Sequence, residues 1–132
     1  MKPLPPRRVK PRPPRIHLPG LTPAVLRFVD GRRVPGHLQI VSATGGLLGL
    51  SRPLDRGSLV KLMFLTQSGS VLAEAEMLHP VSWIQQPFRF VALHRDDRSR
   101  LQAAIQFALE QSRREHNQTL QKVQQVEKHR AW

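Results

Sequence analysis

Residues 58–77 read SLVKLMFLTQSGSVLAEAEM, and two patterns stand on either side of a turn. Val71, Ala73, Ala75 and Met77 fall on one face of an extended chain, and Leu72, Glu74 and Glu76 on the other. A period of two is the mark of a half-buried strand. Ser58 to Leu65 is apolar almost throughout and predicts a strand buried on both faces. Gln67 to Ser70 (QSGS) supplies the turn, so the stretch reads as a β-hairpin.

The same grammar extends in both directions. Upstream, Ala24 to Val29 predicts a strand, and Asp30-Gly31 is a hairpin turn signal. His37 to Val41 predicts a second strand, Gly45-Gly46 a turn or bulge, and Leu47 to Leu50 a third strand. Pro53, Asp55 and Gly57 make the next turn. Downstream, Pro80 ends or bends the hairpin's second strand, and Phe88 to Leu93 is the last strand, with Phe88 and Phe90 directed to the core. Six short strands predict a mainly β fold: a small antiparallel six-stranded barrel, in which closure removes exposed edges.

A long C-terminal α-helix follows. Asp96 and Asp97 suit its positive end, where either can cap orphan amides. Leu101, Ile105, Ala108 and Leu109 recur at helical spacing and close over the barrel mouth. The helix is expected to run to about Lys128, with Lys128, His129 and Arg130 at its negative end. Ser112 to Gln118 is nearly all polar, and Leu120, Val123 and Val126 then return on one side. That thin stripe is either a contact for another chain, making a homo-oligomer through the helix, or a solvated extension. The expected organisation is a flexible basic arm over 1–23, a barrel with its closing helix over 24–110, and a helical extension, a candidate oligomerisation segment, over 111–132.

The arm is set apart by composition. Residues 1–23 hold eight of the twelve prolines, and Lys2, Arg7, Arg8, Lys10, Arg12 and Arg15 precede the first acid, Asp30. Prolines lack a donor and fix φ, so the segment is expected to stay outside sheet and helix as an extended polyproline-like arm. It is either a solvated tail or an arm that contacts ligand. The whole chain carries a net charge of +12, which attracts phosphate on a nucleotide, a nucleic acid or a membrane surface. The longest uncharged run, Val34 to Ser51, contains Pro35, His37, Gln39 and four glycines and does not suit a membrane span. The basic N-terminus lacks the apolar stretch of a signal peptide, and a cytoplasmic protein is expected.

Catalytic chemistry finds little to work with. There is no cysteine, hence no thiolate nucleophile, disulfide or thiolate metal site. His17, His37, His79, His94, His116 and His129 show no metal-ligand spacing. No nucleophile elbow, P-loop or dinucleotide fingerprint occurs. Asp30 and Asp55 sit in turns, and Glu74 and Glu76 share one strand face, so no general acid–base pair is evident. The chain is expected not to be an enzyme and to hold no metal.

From Gly31 to Ile105 the order of elements resembles a PilZ domain, a bacterial receptor module for cyclic di-GMP. The strand GHLQIV leads into Ser42-Ala43-Thr44-Gly45-Gly46-Leu47, which is similar to the family's motif of Asp or Asn, any residue, Ser, two residues, Gly. The turn RPLDRGS before LVKLMFL, the strand VLAEAEML with Trp83 nearby, and FRFVALHRDDRSRLQAAI running from barrel into helix also fit. The family's other motif is Arg, three residues, Arg, ahead of the barrel. Arg8-Val9-Lys10-Pro11-Arg12 has that spacing, and Arg15-Ile16-His17-Leu18-Pro19 resembles the family's entry into the barrel, so Arg12 or Arg15 takes the second role. The resemblance implies a ligand site formed by Arg8, Arg12, Arg15, Ser42, Gly45 and Gly46. Arginine suits such a ligand because it pairs with phosphate, forks onto guanine O6 and N7, and stacks on the base.

The sequence departs from the family at the acidic or amide position. With Gly45 as the motif glycine that position is Ile40; with Gly46 the pair becomes Val41 and Ala43. A lost charge-assisted contact there costs roughly 1.5–3 kcal/mol. Three functions follow: a cyclic di-GMP signalling module, a degenerate PilZ-like adaptor that binds a protein partner and no nucleotide, and a basic nucleic-acid-binding barrel. The last suffers from the absence of tyrosine, and the five phenylalanines mostly read as core residues. A receptor of this length is expected to carry no output domain of its own and to move its arm or helix against a partner, or to change its oligomeric state.

Overall fold

The structure, a computed structural model, describes residues 13–130. Strands β1 (Ile16–Arg27), β2 (Arg33–Val41), β3 (Gly45–Gly49), β4 (Leu59–Thr66), β5 (Gly69–Met77) and β6 (Gln85–Leu93) are followed by one helix, α1 (Arg95–Arg130). The sheet closes in the order β1-β2-β3-β6-β5-β4, every neighbour antiparallel, with β1 returning to β4. The expected six-stranded barrel with a long C-terminal helix is the observed fold.

Its turns follow their residues. Gly31 takes φ +90° between β1 and β2, and Asp30 accepts from the Arg32 amide at 3.0 Å. Only glycine adopts that backbone conformation without strain. The inward faces of the strands then supply one core, in which Leu26, Leu38, Leu48, Leu62, Phe64 and Met77 have almost no exposure. Burying each such side chain contributes about 1.5–3 kcal/mol. Leu101 and Ile105 of α1 join that core at the barrel mouth.

The helix is tied down at its first turn. The Leu72 amide donates to Asp97 Oδ1 (2.9 Å), Arg100 Nη2 donates to the same oxygen (3.1 Å), and Arg100 Nε donates to the Ser70 carbonyl (2.8 Å). Asp97 therefore joins helix to β5 and does not cap the helix as expected. At that end the Asp96 amide donates to His94 Nδ1 at 3.4 Å.

Strand bounds differ from expectation: β2 starts at Arg33 and β6 at Gln85, each earlier than expected, β3 takes in Gly45 and Gly46, expected as a turn or bulge, and β1 and β4 differ further. β1 starts at Ile16, eight residues before Ala24, so part of the expected arm lies in the sheet. Its first half pairs with β2 alone, and its register shifts between His17 and Thr22. Pro23 is accommodated because its side toward β4 has no ladder to serve there. β4 alternates, with Val60, Leu62 and Phe64 buried while Leu59, Lys61, Met63 and Leu65 are exposed. It is not buried on both faces, since its outer side meets no second layer.

Candidate functional site

The turn between β2 and β3 is Ser42–Thr44, and Gly45 and Gly46 belong to β3. Ser42 is buried, and its side chain closes the turn. Ser42 Oγ donates to the Gly45 carbonyl at 3.2 Å and accepts from the Thr44 amide at 3.2 Å, while the Ser42 amide donates to the Gly45 carbonyl at 2.7 Å. On the other side the Phe90 amide donates to the Thr44 carbonyl at 2.9 Å, which sews the turn to β6. A Cβ on Gly45 would strike the Phe88 carbonyl, and one on Gly46 the Ile40 carbonyl. Serine and glycines at these positions are thus demanded by the fold itself.

The arm reaches this turn by register. Ile16 pairs with Val41 and His17 with Ile40, so Arg15 precedes β1 at the end of the ladder where Ser42 follows β2. Arg15 is exposed. Arg8 and Arg12 lie outside the described residues. Next to the turn the register runs from His17 through Ile40 and Leu47 to Pro87, an apolar row apart from its exposed histidine. Ile40 is half-buried and offers no side-chain acceptor.

One cation was missed. Arg89 is the register partner of Gly45, stands exposed beside the turn, and is held by Glu76, with Nε to Oε2 at 2.9 Å. The signal was present in the alternation of Phe88 and Phe90, which sends the residue between them outward. A second missed feature is the bulge at Gln39, whose amide donates to His37 Nε2 (3.1 Å, with that nitrogen unprotonated) and accepts from Gln85 Nε2 (2.9 Å).

Behind the arm, Ile16, His17 and Leu18 also line a cleft of about 540 Å³ against α1, whose Phe107, Ala108 and Glu115 form the far wall. The segment that passes the turn therefore also forms one side of the helix cleft. No cluster of three potential metal ligands occurs among the described residues. No helix among them is long and apolar enough to cross a membrane.

The fold has close counterparts among solved structures. MrkH of K. pneumonia in its apo state superimposes with a TM-score of 0.69 at 19% identity, covering 83% of this chain and 55% of MrkH. The PilZ domain of YcgR from Escherichia coli, determined with c-di-GMP, gives 0.68 at 17% identity, covering 83% of this chain and 98% of that domain. The chain has a PilZ-like fold. The Bacillus subtilis inhibitor of motility MotI/DgrA gives 0.59 at 16% identity, covering 83% of this chain and 56% of MotI. The PilZ-like barrel and helix thus span about half the length of MrkH and MotI but nearly all of the isolated YcgR domain. No protein-family model matches the chain, and no curated protein matches it in sequence.

Proposed function

We propose that this chain is a cyclic di-GMP-binding signalling module that acts on a protein partner and catalyses no reaction. The observation that supports the reading is the β1–β2 register, in which Ile16, the residue after Arg15, faces Val41, the residue before Ser42. In this reading the arginine-bearing arm and the Ser42–Gly46 turn, far apart in sequence, act together. Arg89 of β6, the register partner of Gly45, adds a further cationic group beside the turn. In this reading Arg8, Arg12 and Arg15 grip the phosphates and guanine edges, and the rigid turn provides the surface against which they close. The YcgR domain bound to c-di-GMP, and MrkH, also solved as its c-di-GMP complex, lend support through their shared fold.

The signal leaves through the arm. Ligand that draws residues 13–15 toward the turn pulls on Ile16, His17 and Leu18, which line the cleft against α1. The helix then repositions, or presents Leu120 and Val123, both about half exposed, to a protein partner or to the helix of a second copy.

Calorimetric titration of cyclic di-GMP, at low and at physiological salt, tests the reading with Arg8→Ala, Arg12→Ala and Arg15→Ala alongside. Micromolar binding that survives salt and is lost with one of these arginines is expected. Absence of binding, or binding that salt abolishes, supports the second reading, a PilZ-like adaptor without nucleotide, which the apolar Ile40 favours.

A further inference from the structure

The outer face of the β4–β5 hairpin carries an apolar row, Met63 with Leu72, next to a charged one, Lys61 with Glu74, flanked by the mixed pairs Leu59–Glu76 and Leu65–Ser70. Leu59, Met63 and Leu65 of β4 are 58%, 44% and 60% exposed, and Leu72 of β5 is 50% exposed. Met63 pairs with Leu72 across the ladder and, on its other side, with half-buried Val25 of β1, which makes one apolar row. One step along, Arg27, Lys61 and Glu74 form a row of charge plus, plus, minus. Arg27 and Lys61 are like charges directly opposite one another, a costly arrangement in a sheet. Among the described residues neither Lys61 nor Glu74 forms an ion pair, although they are register partners. Glu76, by contrast, is neutralised within the chain by Arg89.

We propose that two copies of this chain associate through this face, with Lys61 of each copy opposite Glu74 of the other. Symmetry selects the arrangement. A twofold axis parallel to the strands, between β4 and β5, exchanges the two strands without changing level along them. Met63 then meets Leu72 and Lys61 meets Glu74, each contact made twice. An axis across the strands centred on the charged row would bring Lys61 onto Lys61 and Glu74 onto Glu74. The charge pattern therefore fits a second copy in one orientation only. Two convex barrels touch over about two strands, well short of the ~800 Å² per partner of a stable complex, so the association is reversible and concentration-dependent. The axis also leaves both barrel mouths, and both helices, at the same end of the pair.

The proposal is independent of nucleotide, and its test uses the full chain without nucleotide at physiological salt. Sedimentation of the wild type, of Lys61→Glu, of Glu74→Lys and of an equimolar mixture of the two variants is followed up to about 1 mM, where weak contacts half-saturate. The wild type is expected in monomer–dimer exchange, and each variant alone at least about tenfold weaker, because like charges then face each other. The mixture is expected to recover the wild-type dimer, since both contacts of the mixed pair are again Glu to Lys. Should either variant lose its fold by circular dichroism, Met63→Gln replaces the pair and is expected to weaken the dimer about tenfold. A wild type that stays monomeric, variants that associate like it, or a mixture no heavier than its components each overturns the proposal.

Discussion

Arg89 on β6 and Glu76 on β5 are bound across the ladder, Nε to Oε2 at 2.9 Å, at the level where Arg89's other neighbour is Gly45. The carboxylate holds the guanidinium over the sheet beside the Ser42–Thr44 turn. Because Arg89 is largely exposed, the pair contributes little to stability, ~1 kcal/mol or less. Its value lies in position. Arg89→Ala is expected to weaken cyclic di-GMP binding by about tenfold with the melting temperature nearly unchanged. Glu76→Gln, which keeps Arg89 but loosens its anchor, is expected to weaken binding less than Arg89→Ala does. Calorimetry and thermal unfolding of the two variants separate these effects.

Ile40 allows a test by gain. It is half-buried, so a polar side chain is not forced into the core. Ile40→Asn is expected to strengthen cyclic di-GMP binding by about tenfold to a hundredfold, the converse of a missing hydrogen bond of roughly 1.5–3 kcal/mol. Ile40→Ala controls for shape and is expected to give no gain. Equal affinities for all three proteins would show that no guanine edge approaches this position.

The turn's serine and glycines answer to the fold before any ligand arrives. Ser42→Ala removes the acceptor of the Thr44 amide and is expected to cost about 1 kcal/mol in denaturant unfolding without ligand. Gly46→Ala drives a methyl group into the Ile40 carbonyl and is expected to cost about 1–3 kcal/mol or more, because backbone has less room to yield than a side chain. If both variants unfold like the wild type, the turn is looser than its bonds indicate.

Much of this architecture is legible in the residues, and the failures have physical causes. The β5 alternation and the Asp30-Gly31 turn identify themselves, since each reports one face or one φ. β4 does not, because Leu59, Met63 and Leu65 make its outer face as apolar as its inner one and erase the period. Proline content hid the first half of β1, which tolerates Pro23 because its edge toward β4 is unpaired there. At the turn, the motif pointed to Ser42, Gly45 and Gly46, but their burial and bonding required the fold. Arg89 was overlooked because the two phenylalanines beside it drew the reading toward the core.

Asp97 predicts a pH dependence. The Leu72 amide holds its carboxyl below the usual carboxylate range, burial opposes that, and Arg100 reinforces it. A depressed folded pKa means stability that is fully present above the unfolded value of about 3.9 and is lost as pH falls through the folded one. Unfolding followed from pH 7 down to about pH 2 is expected to show this loss below about pH 4. Asp97→Asn is expected to be less stable at neutral pH and to show a flatter acid limb. An unchanged limb would remove Asp97 from the account of helix docking.

Gln86 is the polar residue that the strand pattern alone would never place inside. It is 1% exposed, at an inward position of β6. Its Oε1 accepts from the Leu54 amide at 2.7 Å, and its Nε2 donates to the carbonyls of Leu54 (2.7 Å) and Leu78 (3.0 Å). One side chain thereby fixes the β3–β4 connection to the end of β5, closing the barrel end opposite the helix. Burial of an amide is tolerable only while such bonds are made, and removing it orphans backbone groups at about 1–3 kcal/mol each. Gln86→Leu, close in size and unable to bond, is expected to lose at least about 2 kcal/mol in denaturant unfolding. Hydrogen exchange should speed up at the Leu54 amide and leave the amide of Leu72, at the helix end, unaffected. Protection lost equally at both ends would mean that Gln86 supports the whole barrel and not this closure alone.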